Sequence, residues 1–166
     1  MKVFIINGSP GVGKTTLLNL LEKKLPSNCA LLDEDDIART IPLNISKKRF
    51  ELIHNNLITC AKNFKYYGIE CLIISAVIPQ RERFKKLVKR FKANDNEVYH
   101  IVCDCDLNEL KKRIKNRKDQ DVIDLKCALR CNEKINNLDS HFTVNTGESP
   151  ENVRDSVLDF VNKVLD

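Results

Sequence analysis

GSPGVGKTT, Gly8–Thr16, is the stretch that decides the fold. Its spacing is G-x-x-x-x-G-K-[ST], with Gly8 and Gly13 as the fixed glycines, Lys14 as the lysine and Thr15 as the hydroxyl. Each part has a chemical reason. Glycines let the backbone curl until successive N–H groups point at a phosphate, and lysine is a mobile point charge for β/γ oxygens. The hydroxyl is a ligand for Mg²⁺. The flanks fit: KVFIIN (2–7) reads as a buried parallel strand, and TTLLNLLEKKL (15–25) as a helix whose N-terminal dipole favours an anion. A glycine turn without a ligand would leave Lys14 and Thr15 unexplained together. Gly8, Ser9, Pro10, Gly11, Val12, Gly13, Lys14, Thr15 and Thr16 are therefore expected to bind a nucleotide.

Outward from this loop, strand-like and helix-like segments alternate. Cys29–Leu32 is a short strand running into Asp33–Asp36, and Ser46 caps a long helix over 47–67 that Gly68 stops. A third strand covers 69–75, a basic helix 80–92 and a fourth strand 97–103. Asp106 caps the next helix, with Glu109 in the reciprocal capping position. A further helix over 122–136, a strand over 141–144 and a final helix opened by Ser149-Pro150 complete the pattern. Five strands with interposed helices predict an α/β fold: a three-layer α/β/α arrangement around a five-stranded parallel sheet, as one domain over 1–166. Ligands of such sheets gather at the carboxyl ends of the strands.

The composition sets outer bounds. Of 166 residues 42% are hydrophobic and 31% charged, as in a globular chain that buries a full core. The apolar runs are too short to span a bilayer and the first residues enter a strand directly, so a cytoplasmic protein without a signal peptide is expected. Seven cysteines are scattered, and Cys103-x-Cys105 with Cys127-x-x-x-Cys131 fits no common zinc spacing. Reduced core thiols are expected instead. The net charge of +5 is concentrated in RERFKKLVKRFK (81–92) and KKRIKNRK (111–118), which read as solvated faces or as a basic rim around an anionic substrate.

Candidate catalytic residues lie in the loops after the strands. Four successive acids, Asp33-Glu34-Asp35-Asp36, repel one another, so stability alone does not account for them. Alternation about Glu34 is expected to aim Asp33 and Asp35 to one side. One would serve the metal, and the other would orient or deprotonate an acceptor. Asp35 or Asp36, with Asp36 preferred, would also cap a short helix over 37–40. Arg39, one turn on, meets either an anionic acceptor or those acids. Strand three ends at Ser75 rather than at a metal-binding Asp, which argues against water-activating ATPase chemistry; Ser75, Arg81 and Arg83 are candidate acceptor contacts. Arg113 and Arg117, spaced i,i+4, share a helix face and can close over ATP, with Arg130 as a third cation.

On these residues the chain resembles the small P-loop kinases, the group of shikimate, gluconate, adenylylsulfate and nucleoside-monophosphate kinases. LLDEDDIAR (31–39) is similar to the acidic segment after their second strand, and GIECLIISAVIPQRERF (68–84) to the adenylylsulfate kinase strand that ends in Ser. KKRIKNRKDQDVIDLKCALR (111–130) is similar to their lid, placed at about 113–130, and FTVNTGESPENV (142–153) to their last strand and helix. The R-D-x-K-G-L-Y segment of adenylylsulfate kinases, the glycine-rich acceptor motif of shikimate kinases and a zinc-bearing lid insert are absent. The resemblance implies an ATP- and Mg²⁺-dependent phosphotransferase acting on a small hydroxyl or phosphate acceptor. Lys14, Asp33, Asp35, Arg113 and Arg117 would be catalytic, and Thr15 with Asp33 would hold the metal. A polynucleotide 5′-hydroxyl kinase, a kinase modifying another small molecule and an ATP-gated binding module are the alternatives. No membrane partner is expected, and nucleic acid is not favoured.

Overall fold

A computed structural model describes residues 1–40, 46–116 and 124–166. The strands are β1 (Lys2–Asn7), β2 (Cys29–Asp33), β3 (Cys71–Ala76), β4 (Glu97–Asp104) and β5 (Phe142–Asn145). They form one sheet in the order β2-β3-β1-β4-β5, and every pairing is parallel. The helices are α1 (Lys14–Leu21), α2 (Glu34–Ile37), α3 (Lys47–Tyr66), α4 (Arg81–Lys92), α5 (Leu107–Lys115), α6 (Leu125–Asn136) and α7 (Pro150–Leu165).

Two apolar cores explain the three layers. β1 lies at the centre, and Val3, Phe4, Ile5 and Ile6 have no exposed surface. Because side chains alternate along a strand, Phe4 and Ile6 pack towards α1, α5, α6 and α7, and Val3 and Ile5 towards α2, α3 and α4. A strand covered on both faces is apolar on both, which is why 3–6 reads as a continuous apolar run.

Local chemistry sets the helix ends. Ser46 Oγ accepts from the Arg49 N–H at 3.3 Å, and Ser149 Oγ from the Asn152 N–H at 3.2 Å ahead of Pro150. Gly68, with φ +83°, stops α3 in a conformation that L side chains avoid. Asp106 caps α5 through the N–H groups of Asn108 and Glu109. The reciprocal half of that expected capping box is not made, because the Glu109 carboxylate instead accepts from Arg113 Nε at 2.9 Å.

The segment after β2 also differs from the sequence expectation. Its helix runs over Glu34–Ile37 rather than 37–40, and its cap is Asp33, not Asp36. Asp33 is the last extended residue, so its carboxylate reaches the Asp35 N–H two positions on, at 3.1 Å. β3 continues one residue past Ser75 to Ala76. No helix among the described residues is long and apolar enough to cross a membrane.

Candidate active site

The loop from β1 into α1 is shaped by its glycines. Gly11 and Gly13 have φ +85° and +108°, and a Cβ on Gly11 would lie 2.9 Å from Ile114 Cγ1. Gly13 is the N-terminal cap of α1, so the first helical N–H groups open onto the loop as unpaired donors. Lys14 folds back inside this curl, only 9% exposed, and its Nζ donates to the carbonyls of Gly8 (2.9 Å) and Ser9 (3.2 Å). Burial pulls its pKa below the ordinary lysine value, opposed first by Glu34 and then by Cys103, Asp33 and Asp35. The Cys103 thiol, wholly buried, is pushed up to about 12 by desolvation.

Thr15 Oγ1 donates to Asp33 Oδ2 at 3.2 Å. The two Asp33 oxygens thus have separate work: Oδ1 caps α2 and Oδ2 meets the hydroxyl beside the phosphate loop. Thr15 and Asp33, the two residues expected from the sequence to serve a metal, are thus in contact. Among the described residues no group of three or more His, Cys, Asp or Glu side chains is placed to hold a metal. Two protein oxygens suit Mg²⁺, which keeps several waters and takes its other ligands from substrate phosphates.

Two residues that the sequence reading passed over lie beside these groups. Glu34 is 9% exposed, and its carboxylate accepts from the N–H of Val77 in the loop after β3. Burial raises its pKa to about 7, against the Val77 hydrogen bond and the Lys14 charge. Arg49 has a side chain 10% exposed; Nη2 lies 3.9 Å from Asp35 Oδ1, and Nη1 donates to the Ala38 carbonyl and, at 3.3 Å, to Thr40 Oγ1. Asp35 itself is 80% exposed, with one edge against Arg49. Asp33 and Asp35 do not share a strand face, because the helix begins between them and replaces alternation with a turn of about 100° per residue.

Three loops are joined at one point. The Asn7 side chain donates to the Ile78 carbonyl at 3.1 Å and accepts from the Ile78 N–H at 2.9 Å. With the Glu34–Val77 bond, the ends of β1, β2 and β3 are tied together. On the other side, Ser9 Oγ donates to Asn132 Oδ1 of α6 at 3.2 Å.

Arg113, expected to close over ATP, instead bonds backbone carbonyls around the phosphate loop. Nη1 donates to the Val12 carbonyl (3.1 Å) and Nη2 to the Thr146 carbonyl (2.7 Å). Arg117 lies outside the described residues, and Arg130 is exposed on α6. The remaining candidates separate. Ser75 is buried within β3, and Arg39 is exposed and pairs with Asp36 at 3.5 Å. The Arg83 guanidinium stacks 3.9 Å above the Phe50 ring, where the first turns of α3 and α4 meet. Arg81 is drawn away to Asp139 (2.9 Å) and the Asn137 carbonyl (2.6 Å), at the junction of α6 and β5.

A phosphate-binding curl on a parallel sheet, backed by a hydroxyl–carboxylate pair, defines a nucleotide-binding protein of P-loop type. A family model described as an AAA domain (AAA_33) matches residues 3–128, and the chain belongs to that family. No curated protein matches the chain. The fold is that of the small P-loop kinases. A shikimate kinase from Aquifex aeolicus is 19% identical with a TM-score of 0.65, with 99% of each chain covered. An unliganded sugar kinase from Janibacter is 16% identical with a TM-score of 0.68, covering 98% of this chain and 95% of that one. The Mycobacterium tuberculosis APS kinase in complex with AMPPNP and APS is 18% identical with a TM-score of 0.66, covering 97% and 96%.

Proposed function

We propose that the chain is an ATP- and Mg²⁺-dependent phosphotransferase that moves the γ-phosphoryl group to a small hydroxyl or phosphate acceptor, with residues 1–166 as one cytoplasmic catalytic domain. The observation that carries the reading is the contact between Thr15 Oγ1 and Asp33 Oδ2 beside the buried Lys14. A glycine turn kept for structure alone has no use for that pair.

In this mechanism the N–H groups of Gly11–Thr16 bind the polyphosphate, and Lys14 leaves the Gly8 and Ser9 carbonyls for phosphate oxygens. Thr15 and Asp33 would hold Mg²⁺, which supplies charge neutralisation at those oxygens when bound. Asp35 accepts the proton of an acceptor hydroxyl as its oxygen bonds to the γ-phosphorus and the bond to the ADP oxygen breaks. Arg49 holds the Asp35 carboxylate in place. Arg113 braces the phosphate loop at Val12, and with Arg117 it begins the lid at about 113–130. Arg39 and Arg83 flank the acceptor side with positive charge, which favours an anionic acceptor. Most of the rate gain is positioning and electrostatics, since the dispersed transition state needs little covalent help.

The test is ADP release with Mg-ATP across a panel of nucleoside monophosphates, shikimate, gluconate, adenylylsulfate, sugars and 5′-hydroxyl oligonucleotides, with Lys14→Ala as the blank. One acceptor raising release well above the blank supports the reading and names the class. Equal release by Lys14→Ala and the parent would sink it. Tight ATP binding with flat release over the panel turns the assignment to a nucleotide-gated binding module.

A further inference from the structure

Helix α4 carries seven cations and one carboxylate in twelve residues, and it divides them between two sides. Arg83 and Arg90 turn towards α3, where Arg83 covers Phe50 and Arg90 Nη2 donates to Asn55 Oδ1 at 2.8 Å. Arg81, Lys85, Lys89 and Lys92 line the other side, along a groove with a volume of about 330 Å³. Its floor is apolar, made by Phe84, Val88 and Leu138, and its one carboxylate, Asp139, is already paired with Arg81. The ammonium groups of Lys85, Lys89 and Lys92 have no hydrogen bond or ion pair among the described residues.

From Arg81 to Lys92 the helix rises about 16 Å at its ordinary pitch, so the groove is long and narrow rather than round. Like charges spaced i,i+3 and i,i+4 repel, and among the described residues no carboxylate forms an ion pair with Lys85, Lys89 or Lys92. A solvated basic face explains lysines. It does not explain an apolar trench beneath them. The trench is also firmly built: the Phe84 ring lies tilted against His100 with centroids 4.1 Å apart, and His100 Nδ1 bonds the Asp139 carbonyl at 2.6 Å. His100 is 1% exposed, and among the described residues its Nε2 is buried without a partner.

We propose that this groove is a second ligand site, for a small amphipathic organic anion with an apolar ring or short chain and a phosphate or sulfonate head. The apolar part lies on Phe84, Val88 and Leu138, and the head meets Lys85 and Lys89. The volume falls at the lower end of the range of ligand pockets, about 300–1,000 Å³. None of the lining residues comes from the phosphate loop, so the groove is separate from it and its test needs no turnover.

The probe is 8-anilino-1-naphthalenesulfonate, titrated into the ¹⁵N-labelled full chain by fluorescence and amide chemical shift. Saturable one-site binding is expected, with shifts concentrated at 84–92 and 137–139 and displacement by hexyl phosphate. The exposed double variant K85Q/K89Q should bind about tenfold more weakly. The neutral N-phenyl-1-naphthylamine should bind worse than the sulfonate. Equal binding of the neutral probe, unchanged affinity in K85Q/K89Q, or displacement by Mg-ATP would each overturn the proposal. Should K85Q/K89Q fail to fold, potassium chloride decides for the parent chain: affinity that falls with salt supports the site, and salt-independent affinity refutes it.

Discussion

Replacing Arg49 by methionine tests the acceptor side without touching the phosphate loop. Methionine keeps the unbranched stem and its packing but removes every guanidinium donor. The largest loss is the bond to the Ala38 carbonyl, a charged hydrogen bond beside a side chain only 10% exposed. Such a bond is worth about 1.5–3 kcal/mol. The ion pair adds less, because Asp35 is 80% exposed and 3.9 Å away, so it contributes below about 1 kcal/mol. The bond to Thr40 Oγ1 is long and exposed and is set near zero. The total is about 2–3 kcal/mol, which for a chain of this size lowers the melting temperature by about 5–10 °C. Thermal and urea unfolding read the stability, and ATP titration with the acceptor assay reads function. ATP affinity should stay within about twofold, since no Arg49 atom bonds the 8–16 loop, while transfer falls by about tenfold or more through a misplaced Asp35. Loss of ATP affinity in proportion to transfer, or a stability change below about 0.5 kcal/mol, would refute the reasoning.

Further expectations follow from individual contacts. Asp35→Asn should reduce phosphoryl transfer far more than ATP binding, read by single turnover against equilibrium titration; equal losses would make Asp35 a structural or metal residue. Lys14→Ala should abolish turnover and leave the far-ultraviolet circular dichroism unchanged, because its hydrogen bonds among the described residues go to the Gly8 and Ser9 carbonyls of its own loop. Gly11→Ala places a methyl group 2.9 Å from Ile114 Cγ1 at φ +85°, and should cost about 1–2 kcal/mol in urea unfolding, with weaker ATP binding. His54 is 6% exposed, and its pKa is lowered to about 4 by burial and then by Arg90, Lys86 and Arg83, with Glu51 opposing. Its folded pKa lies below the unfolded value of about 6.5, so this stabilisation is complete above that pH and declines as pH falls towards 4. His54→Gln should therefore lose less stability than the parent between pH 7 and pH 5; matching slopes would contradict the buried neutral imidazole.

The fold was legible because its signals are local and repeated. Continuous apolar runs such as 3–6 and 71–74 fit a sheet buried on both faces, and caps such as Ser46, Asp106 and Ser149 mark helices by their own chemistry. The phosphate loop was legible for the same reason, since its residues form one contiguous curl. The acceptor side was not. Glu34 reads as a spacer when the acids are taken to alternate, but a helix begins at Glu34, and one residue of difference exchanges the buried acid for an exposed one. Arg49 was hidden in the basic opening of a helix, and only packing against the Ala38 turn separates it from Lys47 and Lys48. Arg81 looked equivalent to Arg83, yet Asp139, nearly sixty residues away in the chain, draws it elsewhere. Pairings of that range leave no periodic trace.

The knot at Val77 and Ile78 has a consequence for redesign. Asn7 and Glu34 fasten the nucleotide cradle, the root of the acidic segment and the exit of β3 to two adjacent peptide units. A segment exchanged without touching those four residues leaves the three strand ends tied together. A new acceptor surface grafted between Asp36 and the first turn of α3 would inherit a phosphate cradle already in register. A graft that began one residue earlier, at Glu34, would arrive with its mounting cut away.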